Sequence, residues 1–241
     1  MPTVRIAVLG GGFSVAGDAL LDPWVLGHAR SARPKVCFVP TASGDAPAYA
    51  DAFRSAFGRL GCEPSVLSLF ARDQDAAALR AHVLAQDVLY VGGGNTANLL
   101  AVWRAHGVDR LLREAAARGA LLCGISAGAN CWAEASLTDS YGPLAVLADG
   151  LGLLPGSFCP HYDSEPGRRP AYRAAVASGA LPGGWALDDA AAALFSVRSG
   201  AGEPPQPVEV VSRLPGAGLH RLIPDGHGGC TETVREARLL R

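Results

Sequence analysis

The chain has 241 residues, 49% hydrophobic and 18% charged, which excludes a disordered polymer and supplies apolar surface for a sizeable core. Its 21 basic and 22 acidic residues leave a net charge of −1, so nothing recommends nucleic acid or an anionic membrane as partner. No apolar run approaches the roughly 18 residues of a membrane span. Residues 1–12 carry a short apolar run ending in three glycines, where a secretory leader would have a longer core and a cleavage site; a cytoplasmic protein is expected. The six cysteines form no CxxC pair, the pattern of buried free thiols more than of disulfides or zinc.

In chain order, residues 4–9, 35–40, 65–69, 88–91 and 120–125 read as strands, mostly continuous apolar runs of the kind buried on both faces of a parallel sheet. Between them, 46–60, 74–86 and 96–118 read as helices; in the last, Leu99, Leu100, Trp103, Val108, Leu111 and Leu112 recur at helical spacing. This alternation predicts an α/β fold: a single domain over 1–241 whose mostly parallel central sheet is covered by helices on both faces. After Asp139, glycine and proline become frequent. Strands are expected there only at 153–158, 191–197 and 208–211, within an irregular C-terminal third.

Gly124-Ile125-Ser126-Ala127-Gly128 follows a buried strand and opens a small-residue helix expected over 127–135. A serine on such a tight strand-to-helix turn is pushed out of the sheet, and only small neighbours permit that backbone. Val91-Gly92-Gly93-Gly94-Asn95-Thr96 repeats the arrangement after another strand, so both turns belong at the carboxyl edge of the sheet, where ligands bind. A backbone N–H from Gly93 or Gly94 would join that of Ala127 as an oxyanion hole. No Lys-Ser/Thr follows the glycines, which argues against a phosphate loop. A third glycine turn, Gly10-Gly11-Gly12, either lines the pocket or merely packs a strand end.

The serine needs a base. His82 and His106 fall on the expected helices and His28 in a further stretch read as helical, all as mostly exposed residues; His220 and His227 lie in the C-terminal tail, where His227 with Asp225 is weak evidence for a metal. His161 ends an apolar run and opens a charged loop, where a general base belongs. A carboxylate should then fix the imidazole tautomer, and Asp188 and Asp189, set in an apolar stretch, are the candidates, with Asp139 a further one.

Together, Gly92-Gly93-Gly94-Asn95-Thr96, Gly124-Ile125-Ser126-Ala127-Gly128-Ala129-Asn130 about 30 residues on, and Pro160-His161 resemble the peptidase E family of serine peptidases, the aspartyl dipeptidases, over roughly residues 5–200. The resemblance implies a glutamine-amidotransferase-like α/β fold and a triad in the order serine, histidine, acid. It assigns Ser126 as nucleophile, His161 as base, and Gly93 or Gly94 with Ala127 as the oxyanion hole. The family's acid is a glutamate in a Pro-Glu-Gly turn; here Leu187-Asp188-Asp189-Ala190 matches it, making Asp189 the acid and Asp188 the fallback, with Asp139 in support. Asp-X dipeptides are the implied substrates. Arg168 and Arg169, shortly after His161, would bind the aspartate carboxylate as a bidentate fork, with Asn95 also placed on the substrate. No cofactor and no metal are implied; the partner is a short peptide, and the protein a monomer or homodimer. Two other readings stand beside this one: a cyanophycinase-like hydrolase of β-linked Asp-Arg peptides, and a non-peptidase binding module or esterase on the same fold.

Overall fold

In the computed structural model, residues 3–71, 75–198 and 204–241 are described. The chain runs β1 (Thr3–Leu9), α1 (Leu21–Gly27), β2 (Lys35–Val39), α2 (Pro47–Phe57), β3 (Glu63–Val66), α3 (Ala76–Leu84), β4 (Val88–Val91), α4 (Thr96–His106), α5 (Val108–Ala117) and β5 (Leu121–Ile125). It continues through α6 (Ala127–Asn130), β6 (Ala133–Thr138), β7 (Ala145–Leu147), β8 (Leu154–Cys159), α7 (Arg168–Ala177), β9 (Gly184–Leu187) and β10 (Ala191–Arg198). The last strands are β11 (Pro207–Ser212), β12 (Gly218–Pro224), β13 (Cys230–Glu236) and β14 (Arg238–Leu239).

These elements form an α/β fold with two mixed sheets. One has eight strands in the order β14-β11-β10-β1-β5-β4-β2-β3. Its β1, β5, β4, β2 and β3 are parallel, as the buried apolar runs predict; β10 pairs antiparallel with β1, and β11 pairs antiparallel with β10 in turn. The inner strands are buried on both faces by strict alternation. Val4, Ile6 and Val8 of β1 enter one apolar cluster and Ala7 and Leu9 another; on β2, Cys37 and Val39 face the first and Val36 and Phe38 the second. The second sheet has six strands, β13-β12-β9-β8-β6-β7. The first cluster spans both sheets, since Phe158 of β8, Trp185 of β9 and Leu219 of β12 pack in it with Ile6 and Leu122.

Three expectations are corrected. The helix read over 96–118 is two helices, broken where Gly107 adopts φ +68°. The small-residue helix read over 127–135 is only α6; the chain then enters β6, which pairs parallel with β8. The C-terminal third is not irregular but strand-rich, because β10, β11 and β14 extend the first sheet while β8, β9, β12 and β13 pair into the second, and its glycines and prolines mark the turns between them. The helix read over 74–86 begins at Ala76, with Asp75 as its cap; residue 74 lies outside the described residues. Among the described residues no helix is long and apolar enough to cross a membrane.

Candidate active site

Ser126 caps β5 with φ 53° and ψ −114°, outside the regions comfortable for an L-residue. Two glycines make that turn possible. A Cβ on Gly124 would lie 2.0 Å from the Gly128 carbonyl oxygen, and one on Gly128 would lie 2.3 Å from that of Val91. The turn, α6 and β4 therefore meet backbone to backbone, and the serine side chain is left to project. His161, two residues past β8, also has positive φ, at 55°. Asp189 sits between β9 and β10 in a loop stitched to the end of β1: the Ala190 N–H donates to the Gly10 carbonyl at 2.7 Å and the Gly10 N–H to that of Ala191 at 2.8 Å. Among the described residues, four non-glycines have positive φ (Asp45, Ser126, His161 and Ala190), and three of them form or flank this site. Backbone strain of this kind persists only where surrounding structure over-determines it.

These three turns bring Ser126, His161 and Asp189 into one hydrogen-bonded series. With the imidazole proton on Nδ1, that nitrogen donates to Asp189 Oδ1 at 2.7 Å, and Nε2 accepts from the Ser126 hydroxyl at 2.9 Å. The Asp189 N–H donates to Asp163 Oδ1 at 2.8 Å, which pins the Asp189 loop to the His161 loop. Partial burial works against the Asp189 charge, but hydrogen bonds from His161 and Ser164, with the His161 and Arg168 charges, outweigh it and hold the carboxyl below its ordinary range.

Residues 6–199 match the model of peptidase family S51. The chain belongs to that family. The uncharacterized peptidase YgaJ of Bacillus subtilis is 50% identical over 191 residues, covering 79% of this chain and 82% of that protein. A protein named peptidase E from Streptomyces coelicolor is 31% identical over 139 residues, 56% of this chain and 55% of its own length. In fold, a peptidase from an acI-B1 actinobacterium superposes with TM-score 0.72 at 17% identity, covering 98% of this chain and 95% of that one. The peptidase E resemblance read from the glycine motifs is thus shown, and the chain is a peptidase by family.

The S51-matched span holds Ser126, His161 and Asp189, and the structure sorts the other sequence-predicted residues around them. Asp188 points away from His161, as successive residues at a strand end do. Its Oδ2 accepts from the Gly218 N–H at 3.0 Å and lies 2.9 Å from His220 Nε2, so it belongs to a buried Asp188–His220–Glu232 series. Asp139 is exposed, 3.6 Å from Arg168. Gly93 lies against Ser126, where an added Cβ would come 3.4 Å from the serine Cβ; its N–H makes a long 3.3 Å bond to Tyr49 Oη. Gly94, at φ +138°, instead packs on Ala42, whose carbonyl oxygen an added Cβ would approach to 2.2 Å. Ala127 opens α6, so its N–H has no acceptor within that helix. Asn95 caps α4, accepting from the Asn98 N–H and donating to the Ser140 carbonyl, so it is committed to the fold and not to substrate.

The two arginines read as substrate ligands are also committed elsewhere. Arg168 is buried, paired with Glu165 and close to Asp139. Arg169 pairs with Glu232 and lies over the Tyr162 ring. Both fall outside the cavity of about 260 Å³ beside Ser126, whose walls include Gly10, Gly11 and Gly93 of two glycine turns, Tyr49 and Arg213. The third glycine turn does line the site. Arg213 and Tyr49 escape sequence reasoning because neither lies in a motif. The strand-end logic that singles out His161 would also have found Arg213, which follows β11. His28, His82 and His106 are partly buried instead of exposed; His28 bonds Glu209, and His82 lies 3.4 Å from Cys37 Sγ. Asp225 accepts from the backbone of His227 and Gly229, which explains that pair as a turn.

Proposed function

We propose that this peptidase is a serine exopeptidase that hydrolyses short peptides, above all Asp-X dipeptides, through an acyl-enzyme. The observation that carries the reading is the alignment of Ser126, His161 and Asp189 at the cavity of an S51 chain. Ser126 Oγ attacks the scissile carbonyl carbon as its proton passes to His161 Nε2. Asp189 holds the imidazole tautomer and balances the imidazolium without itself taking the proton. The tetrahedral oxyanion draws the N–H groups of Gly93 and Ala127, the former exchanging its long bond to Tyr49 for the stronger charged acceptor. His161 then returns the proton to the leaving amine, the C–N bond breaks, and water repeats the sequence on the ester. A cavity of about 260 Å³ suits one or two residues and not an extended polymer, which favours this reading over a cyanophycinase-like one.

A panel of Asp-Leu, Glu-Leu, Asn-Leu and Ala-Leu tests it. The wild type should release leucine fastest from Asp-Leu. Ser126→Ala and His161→Ala should each lower kcat by several orders of magnitude, and the double variant should be little worse, since such groups act as a unit. Near-normal turnover by Ser126→Ala would sink the proposal.

A further inference from the structure

We propose that Arg213, backed by buried Asp18, reads a carboxylate of the substrate in the Ser126 cavity; the inference rests on the peptidase reading and names the residue that recognises that charge. Arg213 lies beyond the family-matched residues 6–199 and carries the cationic lining of that cavity. Its main chain is fixed relative to the acid: the Arg213 N–H donates to the Ala190 carbonyl at 3.0 Å, and the Ser212 hydroxyl reaches the same oxygen at 3.2 Å. The guanidinium therefore enters the cavity from a point one residue away from Asp189.

Asp18 holds the side chain from behind. Its carboxylate is wholly buried and accepts backbone N–H bonds from Gly12 at 2.7 Å, Leu20 at 3.2 Å and Leu21 at 3.3 Å. Arg213 Nε lies 3.3 Å from Asp18 Oδ2 but makes no directional hydrogen bond there. The pair is a charge contact that leaves the fork unlocked, and 22% of the arginine side chain stays exposed. Gly11 makes the arrangement possible, since a Cβ there would come 2.6 Å from Asp18 Oδ2. The other nearby cations have different duties. Arg168 is buried against Glu165, and Arg169 and Arg173 both hold Glu232. A planar fork already placed in a half-closed pocket matches an incoming carboxylate and offers a neutral side chain nothing. That carboxylate is either the aspartate side chain or the free carboxyl end of a dipeptide.

Calorimetric binding to Ser126→Ala, which cannot turn peptide over, separates these. Asp-Leu, Ala-Leu and their C-terminal amides are titrated with and without Arg213→Met in that background. The Asp-Leu over Ala-Leu affinity ratio should fall about 30-fold or more, the loss expected for one charged hydrogen bond, and Arg213→Lys should recover part of it. An equal loss for both dipeptides that disappears with their amides assigns Arg213 to the carboxyl end. Affinities within about 2-fold of the parent for every ligand, in a variant with the parent's melting temperature, overturn the proposal. Labelling of wild-type Ser126 by a fluorophosphonate is the separate readout of the peptidase reading: its failure beside Arg213-dependent binding would remove the mechanism and leave the carboxylate site standing.

Discussion

Two adjacent aspartates illustrate how residues of one type take opposite roles. Asp189 faces His161, and Asp188 faces His220. Asp189→Asn should lower kcat by roughly two to four orders of magnitude with little change in stability, because an amide cannot balance an imidazolium. Asp188→Asn should keep most of its turnover and instead lower the melting temperature, since it weakens a buried network that also holds the Gly218 N–H. Steady-state kinetics and thermal melts on both variants check the pair. A third aspartate sits under the first glycine turn. Burial beside Asp18 pushes the Asp22 carboxyl up to about 7, against the opposing hydrogen bond from Tyr90 Oη. An unfolded aspartic acid titrates near 4, so between about pH 4 and about pH 7 the native chain holds a proton that the unfolded chain has released. Stability from this group is therefore present at low pH and lost as pH rises through that window. Urea unfolding at pH 5 and pH 8 should show Asp22→Asn losing less stability than wild type across the interval, by a few kcal/mol at about 1.4 per unit. An identical loss in both proteins would refute this account of Asp22.

At the scale of elements, Gly107 shows why the sequence gives an incomplete map. Apolar spacing continues across it, with Leu99, Leu100 and Trp103 buried before the break and Val108 and Leu112 after it, so periodicity alone reads one helix. The left-handed glycine ends α4 and starts α5 instead. Gly107→Ala should destabilise by about 1 kcal/mol, and Gly107→Asn by less, because asparagine tolerates that conformation better than alanine. Denaturant midpoints of the two variants decide it; equal stability in wild type and Gly107→Ala would mean the break is not set by this glycine. The Ser126 turn was legible because its geometry is local: Gly124 and Gly128 are spaced for close backbone approach wherever the chain goes next. The end of α6 was not. Alanine-rich 127–135 has good helical propensity, yet Ala133 and its neighbours pair with β8, and that partner becomes visible only in three dimensions.

Across the whole molecule, the legible part was the half built from consecutive βα units, where each strand's neighbours follow from local alternation. The second sheet depends on long-range pairings such as β9 with β12 and β6 with β8, formed by short strands whose sequences are broken by glycine and proline. The site straddles both halves: Ser126 comes from the end of β5 in one sheet, His161 from the end of β8 in the other, and Asp189 from the connection between β9 and β10 that passes from the second sheet to the first. The same crossing explains the missed cation, since Arg213 reaches the cavity only because β11 pairs beside β10. Ser126, His161 and Asp189 are thus brought together by the packing of two sheets, and the proposed peptidase chemistry stands on their acting jointly as nucleophile, base and acid. Intact-protein mass spectrometry after treatment with a fluorophosphonate tests it most directly. A single phosphonyl adduct is expected, mapped to Ser126, absent from Ser126→Ala and slowed by orders of magnitude in His161→Ala. An adduct on another residue, or unchanged labelling of Ser126 in His161→Ala, would contradict it.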